Sequence, residues 1–330
     1  MMTLLILLGL ICIMTGCQPK HNENYQKMVN SQDDILPIYD YKDVENEISD
    51  LDNLQDIMSN AVVEEWKNDN VTSPCGIACL EEGIVVTDSE TNSVTKIDYS
   101  GNVLKTTGQT GEEVLISPGA IAEYDQKLYV LDQGNHRIQV FGSDLNYIEK
   151  IDLKESKLSD PGYQPQTIAV NETGVYVTGM SLHNPVIDRY RDGEIQEIGN
   201  NFIGSIREYN GQIYAINSMG IYYDEKDDSF GAITTVPEKL MTIEGKNLRE
   251  VCELPCGFGI RAFLLDEDGM VCVSSSGASI YQMNTDGKYI ETIASVPGLE
   301  NEEYPQIAKS DQNGYFLVMP VAKKVYRIFE

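Results

Sequence analysis

Histidine, tryptophan and positive charge are all scarce in this 330-residue chain. It has three His and one Trp, and 24 Lys and Arg stand against 52 Asp and Glu, a net charge of −28. His21, His136 and His183 are too few and too scattered to build a metal centre from several imidazoles. The basic residues form no stripe that could track phosphates, and so acidic a surface repels nucleic acid and anionic headgroups, so no nucleic-acid partner is expected. No G-x-S-x-G, H-E-x-x-H or P-loop pattern occurs, which leaves the hydrolase, zinc-peptidase and nucleotide-binding classes without their usual sequence marks.

One long apolar run is present, MMTLLILLGLICIMTG at residues 1–16. Its length suits a signal peptide better than a transmembrane span. It ends in Met14-Thr15-Gly16-Cys17, which resembles a lipobox, and this predicts a diacylated Cys17 carrying palmitate-type chains that hold the mature chain to a membrane. No Lys or Arg precedes the run, so either the start lies further upstream or the signal is unusual; the alternative is a buried N-terminal helix. Residues 17–42 then form a polar tether, and the expected location is the extracytoplasmic face of the cell membrane, lipid-anchored.

The rest of the chain repeats. A ten-residue pattern recurs without gaps as IACLEEGIVV from Ile77, IAEYDQKLYV from Ile121, IAVNETGVYV from Ile168 and IREYNGQIYA from Ile206. Looser copies are FLLDEDGMVC from Phe263 and IAKSDQNGYFL from Ile307. Each copy is an apolar run, a turn, then a second apolar run, the pattern of two antiparallel strands, a and b. Further runs follow, such as RIQVF and VYRIF for a third strand and NYIEKI and KYIETIA for a fourth. Four strands per unit at a period of about 40–50 residues predict an all-β, six-bladed β-propeller over residues 59–330. The anchors lie 44, 47, 38, 57 and 44 residues apart, and the long fourth interval points to an inserted hairpin or loop near Tyr223–Glu238.

Residues 128–141, LYVLDQGNHRIQVF, resemble the strand–turn–strand signature of the NHL-repeat family, at Asp132, Asn135, His136, Arg137 and Ile138. The first blade keeps Asp88 and Asn92 but has Val94 in place of the arginine. The resemblance implies a six-bladed propeller of the bacterial surface lipoprotein type. Asp132 and Asn135 also suit a purely structural role, because both residue types bond nearby backbone in turns. NAVVEEW at 60–66 reads as an orphan fourth strand that closes the sixth blade, hiding edges that would template aggregation. Before it, Val44, Ile48, Leu51, Leu54 and Met58 predict an amphipathic helix over 43–58, lying on the propeller or docking a partner.

Five cysteines remain after Cys12 and Cys17 are set aside: Cys75, Cys79, Cys252, Cys256 and Cys272. Buried thiols, one disulfide among Cys75, Cys252 and Cys256, and a four-thiolate zinc site all stay open. No catalytic residue and no metal ligand is assigned, and no cofactor is required, although calcium would suit the oxygen-rich composition. The expected activity is that of a binding module, most simply a monomeric propeller, for a peptide, glycan or partner protein; the alternative is a calcium-type hydrolase or lyase acting in the channel. The repeat alignment gathers Tyr163, Gln166, His136, His183, Arg261 and Tyr304 on one end of the ring. It also places Arg207 where four other blades have Ala78, Ala122, Ala169 and Ala308, and so predicts that Arg207 and Arg261 jointly receive an acidic group.

Overall fold

The computed structural model describes residues 38–45, 48–54, 57–111, 114–153, 164–180, 185–200, 202–227, 229–234 and 236–330. The signal segment, Cys17, Tyr163 and His183 lie outside these. Among the described residues no helix is long and apolar enough to cross a membrane.

Six antiparallel sheets form the body. Ahead of them run β1 (Ile38–Asp40), the single turn α1 (Tyr41–Val44) and β2 (Val62–Trp66). The first blade is β3 (Pro74–Leu80), β4 (Gly83–Asp88), β5 (Ser93–Asp98) and β6 (Val103–Thr107); the second is β7 (Pro118–Tyr124), β8 (Lys127–Asp132), β9 (Arg137–Gly142) and β10 (Tyr147–Asp152). The third is β11 (Gln164–Asn171), β12 (Gly174–Met180), β13 (Pro185–Arg191) and β14 (Glu194–Asn200). The fourth has β15 (Ile203–Tyr209), β16 (Gln212–Asp224), β17 (Ser229–Ile233), β18 (Glu238–Glu244) and β19 (Asn247–Leu254). The fifth is β20 (Ile260–Asp266), β21 (Gly269–Ser274), β22 (Ser279–Met283) and β23 (Tyr289–Ser295). The sixth joins β24 (Gln306–Ser310), β25 (Gly314–Met319) and β26 (Lys324–Phe329) to β2.

Every repeat anchor falls in the innermost strand of its blade, and those six strands meet in a ring. Apolar clusters fill the gaps between neighbouring blades: Ile121 and Leu128 between the first and second, Ile206 and Met241 between the third and fourth, Ile307 and Leu317 between the fifth and sixth. Both faces of each blade are therefore covered, which is why β4 and β21 are buried at every residue and read as unbroken apolar runs. The ring is tight near its axis. At Gly76 a side chain would meet the Gly119 carbonyl at 2.6 Å, the same oxygen that accepts from Thr87 Oγ1 at 2.6 Å.

Closure follows the expected route, with Val62–Trp66 paired in register to Phe329–Val325. The long fourth interval is an inserted hairpin: β16 runs past the blade and pairs there with β17. Upstream of the blades the described residues show two further features. The stretch read as tether is already structured at Ile38–Asp40, which pairs in parallel with Ile221–Tyr223 of that hairpin, while Tyr41 packs on Tyr222 with ring centroids 4.9 Å apart. The described part of 43–58 is not one continuous helix either. Ser49 and Leu54 are extended around a one-turn 3₁₀ helix, Asp50–Asn53, because the chain is pinned piecewise: Asp50 N donates to Cys256 O at 2.9 Å, and Cys256 N donates to Asp50 Oδ2 at 2.6 Å. Leu51 and Leu54 enter the gap between the fourth and fifth blades, whereas Ile48 stays 68% exposed. Farther on, Thr292 N donates to Ile57 O at 2.7 Å and Ser59 N to Thr292 O at 2.9 Å. The segment is a strap across the fourth, fifth and sixth blades.

Candidate functional site

Strand direction fixes the geometry of the channel. The b–c turns and the connections into each inner strand lie at one end, called upper here, and the a–b turns at the lower end. The NHL-like turn is at the upper end of the second blade, and its polar residues are occupied with structure. Asp132 is fully buried. Its Oδ1 accepts from Ile116 N at 2.8 Å, and its Oδ2 accepts from Asn135 Nδ2 at 2.8 Å, Arg137 Nε at 2.7 Å and Gln139 Nε2 at 3.0 Å. Asn135 Nδ2 and Arg137 Nη2 also donate to Val114 O at 2.9 and 2.7 Å. The set clamps the turn to the connection that leads from the first blade into the second. His136 takes the left-handed backbone at the end of that turn, exposed on the rim.

Asp88 does the same in the first blade, accepting from Thr72 N at 2.6 Å, Ser73 N at 3.0 Å and Thr91 N at 2.9 Å. Burial opposes its charge, yet these amides hold its carboxyl below the usual aspartate range. In the sixth blade Met319 stands near the matching place, and the acid comes from the other side: Glu302, on the incoming connection, accepts from Val321 N at 3.0 Å and Ala322 N at 2.7 Å.

Deeper at the upper end, three of the expected residues form a floor. Gln166 Nε2 in the third blade donates to Tyr304 OH at 3.0 Å, a bond between opposite members of the ring and therefore across the channel. Arg261, partly buried, donates through Nε to Ser275 Oγ at 3.1 Å. Burial pulls its guanidinium below the usual arginine range, while Tyr304, Glu238 and Glu303 push it back in part. Burial likewise raises the Tyr304 hydroxyl. Glu238 is fully buried behind this floor. One of its oxygens accepts from Ile260 N at 3.1 Å and the other has no partner; burial lifts its carboxyl to about 8, so it is neutral at pH 7. Ser275 and Glu238 escaped sequence reasoning because neither belongs to a motif, and the packing of the fourth blade on the fifth creates their setting.

Arg207 is not part of that floor. It lies near the level of Leu264, three residues along the strand from Arg261 and so about 10 Å farther down. It lines a lower cavity of about 210 Å³ with Cys79, Ala122, Ala169, Leu264 and Ala308. Its Nη2 donates to Ile307 O at 2.6 Å. Its electrostatic neighbours, Cys79 and Glu208, differ from those of Arg261, so the paired site expected for the two arginines is corrected to two separate environments. Burial pushes the Cys79 thiol up to about 12, against the pull of Arg207, which keeps it protonated and a poor nucleophile.

No disulfide joins any of the five cysteines. Among the described residues no three His, Cys, Asp or Glu side chains gather where they could hold a metal ion. The four thiolates of a zinc site are thus not assembled there.

The described geometry is that of a six-bladed propeller with a polar upper floor and a lower cavity into which Arg207 is set. No protein-family profile matches the sequence, and no curated protein does. Solved structures match the fold. Virginiamycin B lyase from Staphylococcus aureus is 13% identical, with a TM-score of 0.55, over 82% of this chain and 100% of its own. A gluconolactonase from Xanthomonas campestris is 13% identical with a TM-score of 0.54, over 82% of this chain and 90% of its own. Regucalcin from Agrobacterium tumefaciens, a calcium-binding protein, is 11% identical with a TM-score of 0.51, over 78% and 89%. At these identities the likeness is one of fold.

Proposed function

We propose that the chain is a lipid-anchored, extracytoplasmic binding module of NHL-like type. It is held to the membrane through Cys17 and presents its upper end to a peptide, glycan or partner protein. The observation that carries this reading is the floor of Gln166, Arg261, Ser275 and Tyr304: a recessed guanidinium, hydroxyls and an amide that can grip carboxylate or sugar hydroxyls. The fold's solved relatives include a lyase and a gluconolactonase, so a hydrolase or lyase acting in the channel is the second reading.

Peptide and glycan arrays probed with the chain and with its Arg261→Gln, Tyr304→Phe double variant test the proposal. The parent is expected to give discrete hits that the variant loses by at least tenfold while its unfolding stays cooperative. Hits retained in full by the variant would place the ligand elsewhere, and turnover of an ester or lactone panel would favour the enzyme.

A further inference from the structure

The lower cavity is built by the repeat itself. The residue after each anchor lines it, once per blade: Ala78, Ala122, Ala169, Arg207, Leu264 and Ala308. Four alanines leave room, and one blade supplies a cation. The rest of the lining is mixed: Ile77, Ile121, Ile168 and Val170 are aliphatic, and Cys79, Glu123, Glu208 and Lys309 also border the cavity.

That cation is poorly compensated. Arg207 makes one protein hydrogen bond, to the Ile307 carbonyl across the ring at 2.6 Å, and no carboxylate of the described residues pairs with it in a chain holding 52 of them. None of its nitrogens is both sealed and unbonded, so the rest of the guanidinium faces the cavity. Burial lowers its affinity for a proton, and Cys79 and Glu208 offset this only in part; a half-buried guanidinium that no carboxylate contacts directly is costly. The other charged groups at the cavity are engaged. Glu208 accepts from Gly211 N at 2.6 Å and Glu123 from Gln126 N at 3.0 Å, each within its own a–b turn, and Lys309 pairs with Asp266 at 2.8 Å.

We propose that this cavity binds a small monocarboxylate with an apolar body, the carboxylate on Arg207 and the body against the alanines and Leu264. The volume of about 210 Å³ exceeds the roughly 150 Å³ that accommodates benzene in an apolar protein cavity. A single guanidinium fork matches one carboxylate, and Glu123 and Glu208 at the lower mouth disfavour a second negative charge on the ligand. The site is distinct from the upper floor and stands or falls independently of it.

Calorimetric titration of the full chain with benzoate, with benzamide as the neutral isostere and inorganic phosphate as the multivalent anion, tests the assignment. Benzoate is expected to bind at least tenfold more tightly than either control. Arg207→Gln, which keeps a donor for Ile307, should lose at least tenfold in benzoate affinity while its thermal unfolding shows that it folds. Equal binding of benzoate and benzamide, full binding by Arg207→Gln, or no benzoate binding by the parent would each overturn the proposal and leave Arg207 as a strut across the channel. If the variant does not fold, the comparison of benzoate with benzamide on the parent decides.

Discussion

Asp88, Asp132 and Glu302 solve one problem in two ways. The connection into a propeller blade leaves amides buried away from water, and an amide buried without a partner is costly. In the first two blades a carboxylate at the end of strand b reaches that connection; in the sixth the connection carries the acid and reaches back to the b–c turn. Removing Asp132 strips partners from Ile116 N and Gln139 and leaves Arg137 without its 2.7 Å counter-charge. Asp132→Ala is therefore expected to cost about 3–5 kcal/mol, read as a drop in the urea midpoint; a loss below about 1 kcal/mol would mean that the clamp is ornamental. Glu238 works in the opposite sense. Its folded carboxyl titrates near 8, against 4.5 for an unperturbed glutamate, so across that window the unfolded state has released a proton that the folded state keeps, and stability falls as pH rises from about 4.5 to about 8. Glu238→Gln should flatten this loss and raise the melting temperature at pH 8 relative to the parent, while leaving it nearly unchanged at pH 4. A parent whose melting temperature is level between pH 5 and 8 would contradict the assignment.

At the level of elements, the ring depends on β2, whose five residues pair with β26 and supply the outer strand of the sixth blade. Deleting Asn60–Trp66 uncovers β26 and opens the ring between its two ends. The expected result is loss of the cooperative melt, and a deletion that melts like the parent would refute the closure. Trp66, the sole tryptophan, packs on the cluster between the sixth and first blades, so its fluorescence reports this step directly. These features were legible in advance because they rest on alternation and spacing: the anchors, the closing strand and the fourth-blade hairpin all follow from where apolar runs and turns fall. The described parts of the strap depart from a helix for a physical reason. Its apolar residues have helical spacing, but a segment of about 16 residues forms a marginal helix alone, and Leu51 and Leu54 gain more by entering a gap between blades, with Asp50 tied to Cys256. The site was half legible. The blade-by-blade alignment exposed Arg207 among alanines, and its offsets already set Arg207 and Arg261 three residues apart along the strand; it could not foresee the Gln166–Tyr304 bond, which depends on where opposite blades bring their side chains.

Over the whole molecule, a net charge of −28 disfavours acidic membrane surfaces, so the membrane attachment proposed above would rest on the lipid expected at Cys17. Cys17→Ser is expected to abolish acyl labelling and move the protein from the detergent phase to the aqueous phase; a variant that still partitions with detergent would make the apolar run at residues 1–16 the anchor. The binding reading proposed for the chain has the polar upper floor hold a ligand and leave it unchanged. The most direct test is equilibrium binding of an array-identified peptide or glycan to the full chain in the presence of a calcium chelator, with mass analysis of the recovered ligand. The account predicts chelator-insensitive binding, weakened at least tenfold by Arg261→Gln, and ligand recovered intact. Ligand consumed in a calcium-dependent manner, or bound equally well by Arg261→Gln, would contradict it.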